Sequence, residues 1–170
     1  QAESVVSEVV KADYQISAAQ VFVSPGIPTG LSDELMALDE VTKLSRSRAT
    51  IVGFEDRPLI LGAVDEDIFE LIKTENIAGS KEEFLKPNAM GVLKQKAERD
   101  NLAIGDEIAL TIPEEGKRTF TIEYIFDWTT PPPAEFFLLL ENYAFFSEES
   151  LDTEIYFNVI EKNEETQAKL

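Results

Sequence analysis

Phe120, Ile122, Tyr124 and Phe126 stand at every second position of the chain, after the loop Pro113-Glu114-Glu115-Gly116-Lys117 and the alternating run Glu107–Ile112. A period of two belongs to a strand with one buried face, and a slip of one residue would turn the whole aromatic row out to solvent. The two runs and the short link between them therefore predict a β-hairpin of fixed register. Whatever else the chain forms has to join that hairpin.

The remaining segments divide by the same test. Val41–Phe54 alternates, is rich in Ser, Thr and Arg, and reads as a long half-exposed strand. Residues 14–23, 59–64, 90–93, 136–140 and 153–160 also read as strands, the 136–140 run being apolar throughout. Ser32 is placed to cap a helix over 33–38, with Leu31, Leu35 and Leu38 as its buried stripe. Asp65-Glu66-Asp67 opens a helical turn over 68–73, where the helix dipole favours acids. Residues 94–100 read as a short helix, 141–146 as an amphipathic turn, and another helix begins at Glu164. Turns or loops fall at 24–30, 56–58, 102–106 and 128–133, with a polar link after Gly79-Ser80. Val5, Val6, Val9 and Val10 share one helical face, so 1–13 is expected to be a helix, either a stalk from a preceding segment or a terminal helix lying on its own domain. The class is α+β, mostly antiparallel, in one domain or two small lobes.

Composition removes several kinds of chemistry. The 170 residues contain no Cys and no His, so thiol catalysis, imidazole acid–base chemistry, Ser–His triads and ordinary zinc sites are excluded. No Ser-x-x-Lys or Gly-x-Ser-x-Gly element and no phosphate-cradling loop appears, and no cofactor is expected. With 33 Asp+Glu against 15 Lys+Arg the formal charge is −18, which repels nucleic acid and anionic lipid and favours a monomer. So many acids supply carboxylate pairs everywhere without selecting one for glycosidase-type catalysis. Asp65-Glu66-Asp67 lacks the other oxygen ligands and central glycine of a calcium loop and reads better as a helix start. No run approaches the ~20 apolar residues of a membrane span, and the opening Gln1-Ala2-Glu3 is what an excised or processed piece would show.

Two features are candidates for contact with a partner. From 119 to 161 there is no Lys or Arg, while Glu123, Asp127, Glu135, Glu141, Glu148, Glu149, Asp152, Glu154 and Glu161 all fall there. This is either a face that selects something cationic or simply a solvated surface on an acidic protein. Trp128 is followed by Pro131, Pro132 and Pro133, and these four are the candidate partner-contact residues of a stiff exposed loop. The same residues also fit a core tryptophan followed by a rigid connector.

The order of the short motifs resembles one family. After the valine-rich segment come Ala12-Asp13-Tyr14-Gln15-Ile16, then Gly30-Leu31, Asp39-Glu40-Val41, and Gly62-Ala63-Val64-Asp65-Glu66-Asp67-Ile68-Phe69. Gly79-Ser80, Gly91-Val92-Leu93 with Ala97, and Leu102-Ala103-Ile104-Gly105-Asp106-Glu107-Ile108-Ala109-Leu110 follow, and Phe120-Thr121-Ile122 comes last. Over nearly its whole length the chain is similar to the MacB-like periplasmic core domain, the extracytoplasmic domain of FtsX-type ABC transporter permeases. The stretch 102–110 is the most diagnostic. One departure is Ile122-Glu123-Tyr124-Ile125, where the family usually reads Val-Val-Gly.

The resemblance implies a domain between the first and second membrane spans, on the extracytoplasmic (periplasmic or cell-surface) side of a bacterial cytoplasmic membrane. It implies a stalk helix at 1–13, a porter-like strand–helix–strand lobe from 14–54 and 151–170, and an inserted smaller, mostly antiparallel β lobe from 55–150. The domain would be non-catalytic, with ATP hydrolysis on a separate cytoplasmic subunit or domain. Its implied partners are the cognate ATPase subunit through the membrane part of the full-length chain, a second permease copy or partner permease, and an extracytoplasmic substrate or accessory protein, with no nucleic acid. The rival readings are a free-standing secreted acidic binding or adhesion module and, behind it, an enzyme working with carboxylates alone.

Overall fold

The computed structural model describes residues 11–17, 26–128, 134–146 and 152–160, with positions 165 and 168. In chain order these form β1 (Tyr14–Ser17), α1 (Thr29–Met36), β2 (Val41–Phe54), β3 (Arg57–Val64), α2 (Ile68–Leu71), β4 (Thr74–Gly79) and α3 (Lys81–Phe84). Then come β5 (Ala89–Leu93), α4 (Lys94–Asp100), β6 (Glu107–Ile112), β7 (Gly116–Trp128) and β8 (Phe136–Leu139). Two 3-10 turns (Leu140–Asn142 and Ala144–Phe146) and β9 (Asp152–Val159) complete the order.

The predicted hairpin is present, β6 and β7 pairing antiparallel from Glu107↔Thr121 to Ile112↔Gly116. It belongs to a nine-stranded mixed sheet in the order β1-β9-β2-β3-β8-β5-β7-β4, in which β6 pairs with β7 and, at Gly53↔Thr111, with β2. The pairs β3·β8 and β5·β7 are parallel and the others antiparallel. Followed from β2 through β3, β8, β5, β7 and β6, the ladder returns to β2, so these strands curl into an almost closed barrel. Leu61, Ala63, Met90, Val92, Leu110, Phe120, Ile122, Phe136 and Leu138 fill its interior. On the opposite face of the same strands Val64, Leu93, Phe137 and Leu139 pack with Ile68 and Leu71 of α2 and Phe84 of α3. Burial on both faces explains why β5 and β8 carry unbroken apolar runs instead of alternation. A third core gathers Ile27, Leu35, Val41, Ile155, Phe157 and Val159 beside α1.

Several boundaries differ from expectation. The turn after β2 is only Glu55-Asp56, both with positive φ (48° and 61°), so Arg57 and Pro58 already belong to β3. Ser32 does not cap a helix: α1 starts at Thr29 behind Pro28, and Ser32 lies inside it, 2 % exposed. The stretch read as a polar link after Gly79-Ser80 holds α3, and β4 lies just before it, in residues that the sequence reading assigned to no element. β4 is an outer strand held to β7 through backbone pairing, so its mostly exposed side chains carry no apolar period. α3 is capped by Ser80, whose Oγ accepts from the Glu83 N–H at 3.2 Å. Gly79 ends β4 at φ 71°, where a Cβ would stand 2.1 Å from the Glu123 carbonyl oxygen, so only glycine fits. Trp128 does not break the ladder but ends β7, paired with Thr74. Residues 1–10 of the expected N-terminal helix lie outside the described residues, and 11–13 are not helical: Lys11 N and Ala12 N both donate to Leu71 O, at 2.9 and 2.8 Å. Of the strand expected over 14–23, residues 18–23 lie outside the described residues, and positions 165 and 168 of the last helix are helical.

Candidate functional site

β2 is shared by two ladders. It pairs with β9 from Val41↔Val159 to Arg48↔Asp152 and with β3 from Ser47↔Val64 to Phe54↔Arg57. At the hand-over Ser47 faces Glu154 and Arg48 faces Asp152, leaving Thr153 as an extra residue on β9. Such a bulge bends a strand and re-aims its side chains. Here the buried positions of β2 change parity, from Ser45 and Ser47 to Arg48 and Val52.

A polar seam fills this junction. Asp152 is 0 % exposed; its Oδ1 accepts from Arg48 Nε at 2.8 Å and its Oδ2 from Ser32 Oγ at 3.0 Å. Arg48 Nη1 also donates to the Phe146 carbonyl. The Asp152 backbone exchanges both hydrogen bonds with Ile27, at 2.9 and 3.1 Å. The Asp152 carboxylate thus joins α1 to β2, its backbone holds the segment before α1, and Arg48 carries the tie on to the 3-10 turn Ala144–Phe146. Beside it the hydroxyls of Ser47 and Thr153 lie 3.1 Å apart, and Thr153 Oγ1 donates to Ser47 O at 3.0 Å. Among the described residues no buried side-chain nitrogen or oxygen is left without a partner. A buried ion pair satisfied in this way ties its elements into one arrangement, because parting the two charges leaves each stranded in low dielectric.

Other carboxylates line the neighbourhood. Asp65 accepts from Ser45 Oγ and from the Arg46 N–H at 3.0 Å, and burial holds its carboxyl above the usual range despite these bonds. Burial likewise raises Glu154, which accepts from the Tyr156 hydroxyl, and the same burial raises Tyr156. Glu141 is raised by burial first, with Asp65 and Glu66 adding like charge. On the surface Lys43 bridges Glu70 and Asp67, which lowers Glu70.

These directions set a pH dependence. The stability contributed by a carboxyl raised in the folded state is fully present below its unfolded value and is lost as pH rises through its native one. Asp65, Glu141 and Glu154 all act in this sense, in the window between the ordinary carboxylate range and their raised values. The self-repulsion of the −18 charge also weakens as carboxylates protonate. The lowered, exposed Glu70 and Asp100 oppose the trend only at more acid pH. The melting temperature is therefore expected to be higher at about pH 5 than at about pH 7. A calorimetric scan giving a flat or falling profile would refute it.

The residues singled out from the sequence separate. Trp128 is 4 % exposed, its ring centroid 5.5 Å from that of Phe137, which places the indole in the core; Pro131, Pro132 and Pro133 lie outside the described residues. The acidic run is not one face. Asp152 is fully buried and Glu154 half-buried, Glu135 meets Arg99 at 2.8 Å, and Glu148, Glu149 and Glu161 lie outside the described residues. Asp65-Glu66-Asp67 does precede a helical turn, although Asp65 turns inward to Ser45 and no side chain caps α2. The Arg48–Asp152 seam is absent from the sequence-level candidates. Its only sign is a charge inside one strand run, Arg48, and another just before the next, Asp152, and the bulge hides which of those positions face inward.

No model of a known protein family matches the chain, and no curated protein matches it in sequence. Solved structures do match in shape. A domain of a protein designated a permease, from Porphyromonas gingivalis, is similar at TM-score 0.59 and 14 % identity, over 85 % of this chain and 71 % of that one. The periplasmic region of MacB from Actinobacillus actinomycetemcomitans is similar at TM-score 0.57 and 9 % identity, over 85 % and 70 %. The extracellular domain of the ABC-type transporter YknZ from Gram-positive bacteria is similar at TM-score 0.56 and 11 % identity, over 81 % and 75 %. At these identities the likeness is one of fold, and this chain has the α+β fold shared by these permease, MacB periplasmic and YknZ extracellular domains.

Proposed function

We propose that the chain is the extracytoplasmic domain of an FtsX-type ABC transporter permease. It would respond to ATP hydrolysis on a separate cytoplasmic subunit and act, without chemistry of its own, on an extracytoplasmic substrate or accessory protein. The observation that carries the reading is the fold shared over 85 % of the chain with a permease domain and with the periplasmic region of MacB. The seam fits the role, since a domain that relays motion needs its parts held in one geometry. In this reading 14–54 and 151–170 form the porter-like lobe, 55–150 the inserted smaller lobe, and 1–13 the stalk. The separate core around Ile27, Leu35 and Phe157 supports that division.

The test is the native reading frame on both sides of Gln1 and Leu170. Apolar runs of ~20 residues close to both ends, with further spans downstream and a neighbouring ATPase gene, are the expected result. A cleavable signal before Gln1 with no span after Leu170 would overturn the reading in favour of a secreted binding module.

A further inference from the structure

β2 and β6 meet only at Gly53↔Thr111, where a Cβ on Gly53 would stand 3.1 Å from Thr111 Cβ. Beyond that bridge the strands part and the barrel is left open as a groove of about 640 Å³. Its walls are the tip of the β2–β3 hairpin on one side and β6 on the other. Ile122 N donates to Asp106 O at 2.9 Å, and in an antiparallel pair the bonded positions alternate. Positions 106, 108, 110 and 112 therefore bond to β7, and the N–H and C=O groups of 107, 109 and 111 point to the other edge. Thr111 meets Gly53 there, while on that edge no described strand lies beside Glu107 or Ala109, whose register partners Thr121 and Thr119 are on the β7 side. Two unpaired backbone positions, two residues apart, thus face the groove.

The rim adds a sign. Glu55, Asp56, Asp106 and Glu107 line the groove against a single cation, Lys117. The Asp106 carboxylate accepts from the Ala103 N–H at 2.8 Å, and Arg57 is not part of the walls. We propose that this open edge of β6 receives an extended, lysine- or arginine-bearing segment of a partner protein, which adds about four residues as a strand, on the order of 13 Å. Its backbone completes the bonds of Glu107 and Ala109, and its cationic side chains meet the rim carboxylates. A second copy of this chain is disfavoured as the occupant, because it would bring the same four acids and a further −18 of charge. The proposal does not depend on the transporter reading, and each can fail alone.

The experiment uses the 170-residue chain and three capped peptides: Lys-Val-Lys-Val-Lys, the same peptide N-methylated at every amide, and Glu-Val-Glu-Val-Glu. Affinity is measured by calorimetry and amide exchange by NMR. The lysine peptide is expected to bind and to slow exchange at Glu107 and Ala109. N-methylation is expected to weaken it at least about tenfold, and the glutamate peptide should not bind. Replacing Glu55→Gln, Asp56→Asn and Glu107→Gln together, all exposed, should weaken binding and flatten its salt dependence. No binding by the lysine peptide, equal binding by its N-methylated form, or protection elsewhere on the sheet would each overturn the proposal.

Discussion

Asp152→Ala is expected to destabilise the chain by about 3–5 kcal/mol, much of the total stability of a domain this size. The loss exceeds that of one hydrogen bond because Arg48, 9 % exposed, would keep its guanidinium facing a site without a carboxylate. Ser32 Oγ would lose its acceptor in the same step. Urea unfolding followed by the fluorescence of Trp128, the chain's one tryptophan, measures the change. The pair Arg48→Met and Asp152→Leu, made together, is expected to recover most of the loss, since apolar groups of similar volume need no charge partner. A cost below about 1 kcal/mol for the single change would mean that the guanidinium finds water, as surface ion pairs do.

Phe137→Ala is expected to cost a similar amount, about 3–5 kcal/mol, by a different mechanism. Phe137 is fully buried on β8, with ring centroids 5.8 Å from Phe126 and 5.5 Å from Trp128. It also lies against Gly62, where a Cβ would come within 2.7 Å of its ring. Truncation leaves a void walled by β3, β7 and β8, strands that the rest of the sheet holds in place. The midpoint of denaturation should fall and the Trp128 emission should shift to the red as its packed face opens. An unchanged emission with a loss near 1 kcal/mol would show that the cluster closes over the gap.

The two changes differ in how visible their sites were beforehand. Phe137 stands in an apolar run that reads as a buried strand from composition alone, and it is one. Asp152 stands among acids that read as a solvated surface, and it is the least exposed of the charged residues described. Nothing local distinguishes Asp152 from Glu154 or Asp127, since whether a carboxylate is solvated or paired depends on Arg48, 104 positions away. β4 was hidden for a related reason. Its pairing with β7 runs through the backbone, which has the same groups at every residue, so a polar outer strand leaves no period to read.

By itself, the amino-acid sequence determined whatever depends on neighbours in the chain. The β6–β7 hairpin, the ranges of β2, α4 and β6, the α+β class and the loss of thiol and imidazole chemistry follow from side-chain period, turn residues and composition. The tertiary structure alone decided the joining of β3 to β8 and β5 to β7 in parallel, the bulge at Thr153, the Arg48–Asp152 seam and the barrel left open beyond Gly53. The physical reason is range. A period of two states which side of a strand is apolar, but backbone hydrogen bonds are alike at every residue, so which strand lies alongside is settled only when all the cores pack at once.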